Sequence, residues 1–185
     1  EAAVKALAAS TKTLPDKAQS WAASITMEQL WTRWHPLQPT KVTASDKREM
    51  EILPDGSVRS ATLTTGKNPD YLVTALTKAE HITGILFESI PAETMPGFGA
   101  GLNKNGNFVI TEIQARWNTK ADPKKQNGLT FSDAFADHNQ NGFNVKNIFN
   151  GNTSRADKGW ALSGSNLQIP HRAALQLKDP MNGDK

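Results

Sequence analysis

At 185 residues, with 37% hydrophobic and 21% charged side chains, the chain suits one domain, or one domain with an appendage, and it holds enough apolar residues for a core. The absence of cysteine excludes a disulfide framework, a thiol nucleophile, Cys-ligated zinc or iron–sulfur sites and covalent c-type haem attachment. The net charge is only +3, with Lys and Arg interspersed among 18 acidic residues, so a pI of 9.2 does not signal nucleic acid; the densest basic cluster is Lys120 to Lys125. No apolar run approaches the ~18 residues of a membrane-spanning helix, and no membrane partner is expected. The sequence starts at Glu1 without Met and reads as a piece of a larger protein.

Residues 1–27 carry helical spacing in two pieces. Val4, Leu7 and Ala8 form one apolar stripe, and Ala18, Trp21, Ala22 and Ile25 form another. Pro15 separates them and suits the first turn of the second piece, followed by Asp16 where the helix dipole favours an anion. Helices this short are not stable alone, so this segment is expected to be a lead-in from a preceding domain, with the main domain over 28–185.

After Met27 the period changes from 3.6 to 2. Strands are predicted over 28–34, 40–44, 48–53, 57–64, 71–76, 82–89, 107–117, 129–137, 159–163 and 172–177, separated by turn clusters at intervals typical of a β-sandwich or barrel. Pro54-Asp55-Gly56 supplies hairpin chemistry: Pro fixes φ, and Asp and Gly tolerate the positive φ of a tight turn. Within 107–117, Val109, Thr111, Ile113, Ala115 and Trp117 share one face, the expected core face. Residues 118–128 are polar and rich in Lys, Pro, Asn and Gly, an exposed connection. Gly97 to Gly106 forms a second long loop.

The residues that could carry catalysis are scattered. His35, His81, His138 and His171 show no metal-ligand spacing, no G-x-S-x-G elbow occurs, and Glu88, Glu93 and Glu112 are unmarked as an acid pair. No enzymatic activity is expected. Asp137-His138-Asn139-Gln140-Asn141-Gly142 matches the first half of a calcium loop, but position twelve is Ile148 rather than Glu and the preceding segment reads as strand, so an EF-hand is excluded. Two readings of this turn stand: a polar turn, and a structural calcium site of hard oxygen ligands. No other cofactor is expected in this fragment. The glycines at 97, 99 and 101 lack the Lys-Ser/Thr that a phosphate cradle requires, and Asn152-Thr153-Ser154 fits an N-glycan acceptor.

Five Trp against one Tyr is the most informative compositional feature. Aromatic rings stack on the apolar faces of sugars while one edge stays wet. Trp31 and Trp34 fall on opposite parities of a strand, so one of them is a candidate exposed platform. Trp160, within Gly159-Trp160-Ala161-Leu162, is expected in the core.

Several strings carry a resemblance to a known type of domain. They are Ile82-Thr83-Gly84-Ile85-Leu86-Phe87-Glu88, then Pro91, Gly97, Gly99 and Asn105-Gly106-Asn107-Phe108-Val109-Ile110-Thr111-Glu112. Further along come Gly142-Phe143, Ile148-Phe149-Asn150-Gly151, Gly159-Trp160-Ala161-Leu162, His171 and Ala173-Ala174-Leu175-Gln176-Leu177. Over about residues 20–180 the chain resembles a module of large multi-domain planctomycete proteins, lying between an N-terminal cytochrome c-like domain and C-terminal domains of unknown function. The resemblance implies an all-β, galactose-binding-like β-sandwich (jelly roll), the architecture of discoidin-type lectins and many carbohydrate-binding modules. It implies glycan binding inside a secreted, cell-surface or periplasmic polysaccharide-processing protein, with neighbouring domains as partners. Where such relatives carry Asp-Gly before the Trp strand, Asn150-Gly151 stands here, so this position lacks that carboxylate.

The expected function is therefore a non-catalytic carbohydrate-binding module that recognises a polysaccharide or oligosaccharide through stacking aromatics and polar loop groups. The candidate sugar-binding residues are Trp34, Tyr71, Asn141, Asn150, Arg155 and His171. The alternative is a spacer or docking module, between cytochrome-like and catalytic domains, that binds no sugar.

Overall fold

The computed structural model of the chain describes residues 34–61, 68–151, 153 and 158–182. The chain divides into two compact units, Glu1–Pro36 and Leu37–Lys185; the second holds every described strand. The helices expected before Met27 lie outside the described residues, as does all of the strand expected over 28–34 except Trp34.

From Gln38 onward the described chain is all-β, built from short antiparallel strands and two 3-10 turns. Strands β1 (Gln38–Ala44) and β4 (Tyr71–Leu76) pair as a ribbon, and β2 (Met50–Ile52) pairs with β3 (Val58–Ser60). The expected Pro-Asp-Gly turn closes that hairpin. Gly56 adopts φ +83° while its N–H donates to the Leu53 carbonyl at 2.9 Å, and the Asp55 carboxylate accepts from both the amide and the hydroxyl of Ser57.

The core lies on a three-stranded sheet in which β11 (His171–Asn182) is flanked by β5 (His81–Ser89) and β9 (Phe131–Ala136). Along β11 the odd positions His171, Ala173, Leu175 and Leu177 are buried and Gln176 and Lys178 are exposed, the period-2 pattern of a half-covered strand. The register shifts after Gln176 on both sides, which accommodates Pro180 late in the strand, where a missing N–H breaks no regular ladder. Two short ladders complete the unit: β6 (Val109–Ile110) with β10 (Trp160–Ala161), and β7 (Ala115–Trp117) with β8 (Asn127–Leu129). The 3-10 turn Val145–Phe149 sends Val145 and Ile148 into the core beside Phe131, Leu162, Leu175 and Met181.

Trp160 is fully buried at the centre of this core, as expected. Its ring meets Phe87 and Phe108 edge-on at centroid distances of 6.1 and 5.6 Å, and its indole N–H donates to the His138 carbonyl at 2.8 Å. Apolar burial and a satisfied polar edge are both required to place an indole inside. The preceding Gly159 lets this strand approach its partner: it adopts φ +57°, and a Cβ there would lie 2.1 Å from the Ile110 carbonyl oxygen.

The expected continuous strand over 107–117 is two short strands joined by residues 111–114 without regular pairing. The interruption changes which parity faces in. Before it, Phe108 and Ile110 pack on the core and Val109 is exposed; from Ile113 within it onward, Ile113, Ala115 and Trp117 pack inward. The pairing partner also changes, from β10 to β8, so one segment serves two ladders.

Candidate functional site

Loops gather where β5 and β9 end and β6 and β11 begin. Two amides organise them. The Asn107 side chain donates to Gln140 Oε1 at 3.0 Å and accepts from the Leu162 amide at 3.0 Å, while Gln140 Oε1 also accepts from the Ser163 amide. The Gln140 amide in turn donates to the Ala161 carbonyl. Beside them His171 is buried: its Nε2 donates to the Asn166 carbonyl at 2.9 Å, and its Nδ1 lies 3.2 Å from the Asp137 carboxylate. The other Asp137 oxygen accepts from the Arg172 amide. These polar groups are turned inward onto one another and hold the loops together. One buried nitrogen, His138 Nε2, has no hydrogen-bond partner among the described residues.

The calcium-loop-like turn uses its oxygens in the same way. Asp137 engages His171 and Arg172, Asn139 Oδ1 accepts from the Val145 amide at 2.7 Å, and Gln140 bridges the loops. Among the described residues no group of three His, Asp or Glu side chains is placed to hold an ion. The side-chain oxygens of Asp137, Asn139 and Gln140 are thus engaged by protein donors, as the polar-turn reading has it.

Of the expected sugar-binding residues, four are described within the second unit, and they lie on separate elements. Asn141 is exposed in the turn beside buried His171, so these two share the loop end, but the imidazole is enclosed there. Asn150 is exposed after the Val145–Phe149 turn, whose following amide, Gly151 N–H, reaches the Glu112 carboxylate. Tyr71 is 49% exposed on the β1–β4 ribbon, its hydroxyl receiving Arg48 Nη1 at 3.4 Å. Trp34 is half-buried outside any strand, in the unit ending at Pro36, and Arg155 lies outside the described residues.

A different aromatic residue sits in an open, polar setting. Trp117, the last residue of β7, packs one side on the core and forms a wall of two adjacent depressions. The first, about 260 Å³, is otherwise lined by Thr119, Asp122, Lys125 and Asn127. The second, about 210 Å³, is lined on its far side by Gly128, Leu129, Thr130 and the end of β11 from Asp179 to Asn182. The 118–126 loop that frames the first is braced from within. Asn118 Nδ2 donates to the Pro123 carbonyl, the Asp122 amide to Thr119 Oγ1, and the Lys125 amide to Asp122 Oδ1. Trp117 therefore has a rigid backing, and around its edge stand one hydroxyl, one carboxylate, one ammonium and one amide. That mixture of donors and acceptors is what a polyhydroxylated ligand requires.

The sequence assigned Trp117 to a core face and the 118–128 stretch to an exposed connection, and so passed over this site. The available signal was the Trp closing a strand directly before a polar, Lys- and Asn-bearing loop that returns into a second short strand. Along β11, at ~3.3 Å per residue, the Asp179–Asn182 end that lines the site lies roughly 26–36 Å from His171.

Among the four described ion pairs of lysine or arginine, two fix local geometry near these surfaces. Arg172 Nε meets Glu88 at 2.6 Å across β11 and β5, and Lys146 Nζ meets Asp133 at 2.9 Å, tying the Val145–Phe149 turn to β9. Lys146, together with the Ala134 amide, holds the Asp133 carboxyl below the ordinary 3.8. Comparison of the chain with known protein families, with curated proteins and with solved structures gave no match.

Proposed function

We propose that the chain is a non-catalytic carbohydrate-binding module of the galactose-binding-like β-sandwich (jelly-roll) type, acting within a larger secreted or cell-surface protein. The observation that carries this reading is the Trp117 ring, backed by the core and open on a polar rim of Thr119, Asp122, Lys125 and Asn127. A pyranose stacks its C–H face on such a ring while its hydroxyls exchange water for the rim groups. Each hydrogen bond exchanged this way nets only about 0.5–1.5 kcal/mol, so stacking area supplies most of the affinity. Shallow, open depressions suit one or two residues of a polymer rather than an enclosed small molecule. The scattered carboxylates and enclosed His171 accord with binding rather than catalysis. Affinity electrophoresis over a panel of polysaccharides tests the reading: retardation of the wild type that Trp117→Ala abolishes, with melting temperature kept, supports it, and no retardation by any glycan overturns it.

A second reading, a docking module for a neighbouring domain, is favoured by one observation. On β4, Tyr71 and Val73 point to one face and Leu72 and Leu76 to the other, and all four are exposed, Leu76 by 60%. A two-stranded ribbon with apolar residues uncovered on both faces is marginal alone and gains stability from a partner surface. Loss of association with an adjoining domain upon Leu72→Ser/Leu76→Ser, with glycan binding unchanged, assigns docking to the ribbon and recognition to Trp117.

A further inference from the structure

We infer that the glycan bound at Trp117 is anionic, a polymer bearing carboxylate or sulfate-ester groups; the inference rests on the carbohydrate-binding reading and adds the charge of the ligand to it. The hairpin formed by β7, β8 and the loop between them, residues 115–129, carries Arg116, Lys120, Lys124 and Lys125 against a single carboxylate, Asp122. That surplus of three positive charges equals the net charge of the entire chain, so the rest of the sequence is neutral in sum. Outside the hairpin, four of the described cations are paired, Arg48 with Asp46, Arg59 with Glu51, Lys146 with Asp133 and Arg172 with Glu88. Among the described residues none of the four hairpin cations has an ion-pair partner.

One of these cations stands at the aromatic wall and two more on the loop beside it. Lys125 lines the depression with Trp117, and Lys120 and Lys124 are exposed on the loop that frames it. Asp122 is the acid of the first depression, as Asp179 is of the second, and the Asp122 Oδ1 is held by the Lys125 amide, which orients the carboxylate as a hydroxyl acceptor. A lysine ammonium is a compact donor that rotates to meet either a carboxylate or a sulfate, so the rim selects for negative charge without fixing its chemical source. Nucleic acid is disfavoured because one aromatic wall with an acid in its rim lacks the successive stacking platforms and continuous basic groove that track a nucleic-acid strand.

Matched polymers test the charge independently of the fold. Polygalacturonate and dextran sulfate are compared with fully methyl-esterified polygalacturonate and unmodified dextran, and with a single-stranded oligothymidylate. Retention by at least one anionic glycan, about tenfold or more weaker for its neutral counterpart and for Lys120→Gln/Lys124→Gln/Lys125→Gln at unchanged melting temperature, supports the inference. Raising NaCl from 0.05 to 0.5 M shortens the screening length severalfold and should weaken the same complex. Trp117→Phe should leave that salt dependence intact, and Trp117→Ala should abolish retention. Equal binding of charged and neutral forms overturns the anionic ligand and leaves the carbohydrate reading standing. Binding of no glycan overturns both. Retention of the oligothymidylate equal to that of the best glycan, with the same salt dependence, overturns the glycan in favour of nucleic acid.

Discussion

Replacing Trp160 by Ala removes two interactions at once, and the size of the loss follows from its surroundings. The side chain is 0% exposed and touches Phe87 and Phe108 edge-on, so the deletion leaves a cavity bordered by rings that cannot collapse freely. Emptying a Trp-sized core site costs about 3–5 kcal/mol. The His138 carbonyl also loses its 2.8 Å donor, and an unsatisfied buried acceptor costs about 1–3 kcal/mol more. The sum, roughly 4–8 kcal/mol, is comparable with the ~5–15 kcal/mol that hold a domain folded. Trp160→Phe keeps most of the apolar volume and loses the N–H, so it isolates the smaller part. Urea denaturation followed by far-ultraviolet circular dichroism should show the Ala variant largely unfolded in buffer, and the Phe variant folded with a midpoint between it and wild type. An Ala variant within 1 kcal/mol of wild type would refute the central place given to this indole.

Other consequences are equally direct. Asn107→Ala strips a donor from Gln140 and an acceptor from the Leu162 amide, and at a buried site should destabilise by about 2–4 kcal/mol in the same denaturation assay. Because Lys146 depresses the Asp133 carboxyl in the folded state, that pair contributes stability above the ordinary carboxylate value of 3.8 and loses it as pH falls through the folded value. Asp133→Asn should therefore melt below wild type at pH 7 and converge with it in strong acid; a difference that persists at pH 2 refutes the assignment. Tyr71→Ala, on an exposed strand face, should change stability by no more than about 0.5 kcal/mol and leave glycan retention intact.

The strand pattern was largely legible because alternation and turn chemistry act locally. The predicted 71–76 run coincides with β4, and the Pro54-Asp55-Gly56 turn sits where its φ preferences place it. Trp160 was legible as core because small residues surround it, and Gly159 fits only against a close neighbouring strand. Legibility failed where non-local pairing decides the outcome. The change of partner between Ile110 and Ala115 is set by β10, distant in sequence, and by the next strand β8, and nothing within 107–117 announces the break. The site suffered most from this. His171 looked available as a polar residue near loops, yet its strand brings it between Asp137 and Asn166; Trp117 looked interior by parity, yet the end of its strand opens one side of the ring. Chemistry-bearing residues were visible individually, and their convergence depended on loops whose closure hydrogen bonds no periodicity encodes.

The most direct test of the account follows the indole N–H resonances of the five tryptophans by heteronuclear NMR during titration with the best-retained polysaccharide fragment. The Trp117 resonance is identified by its absence in Trp117→Phe. The account predicts that this resonance shifts progressively with ligand while that of buried Trp160 does not. Saturable binding that moves the Trp34 resonance and leaves Trp117 unchanged would contradict it.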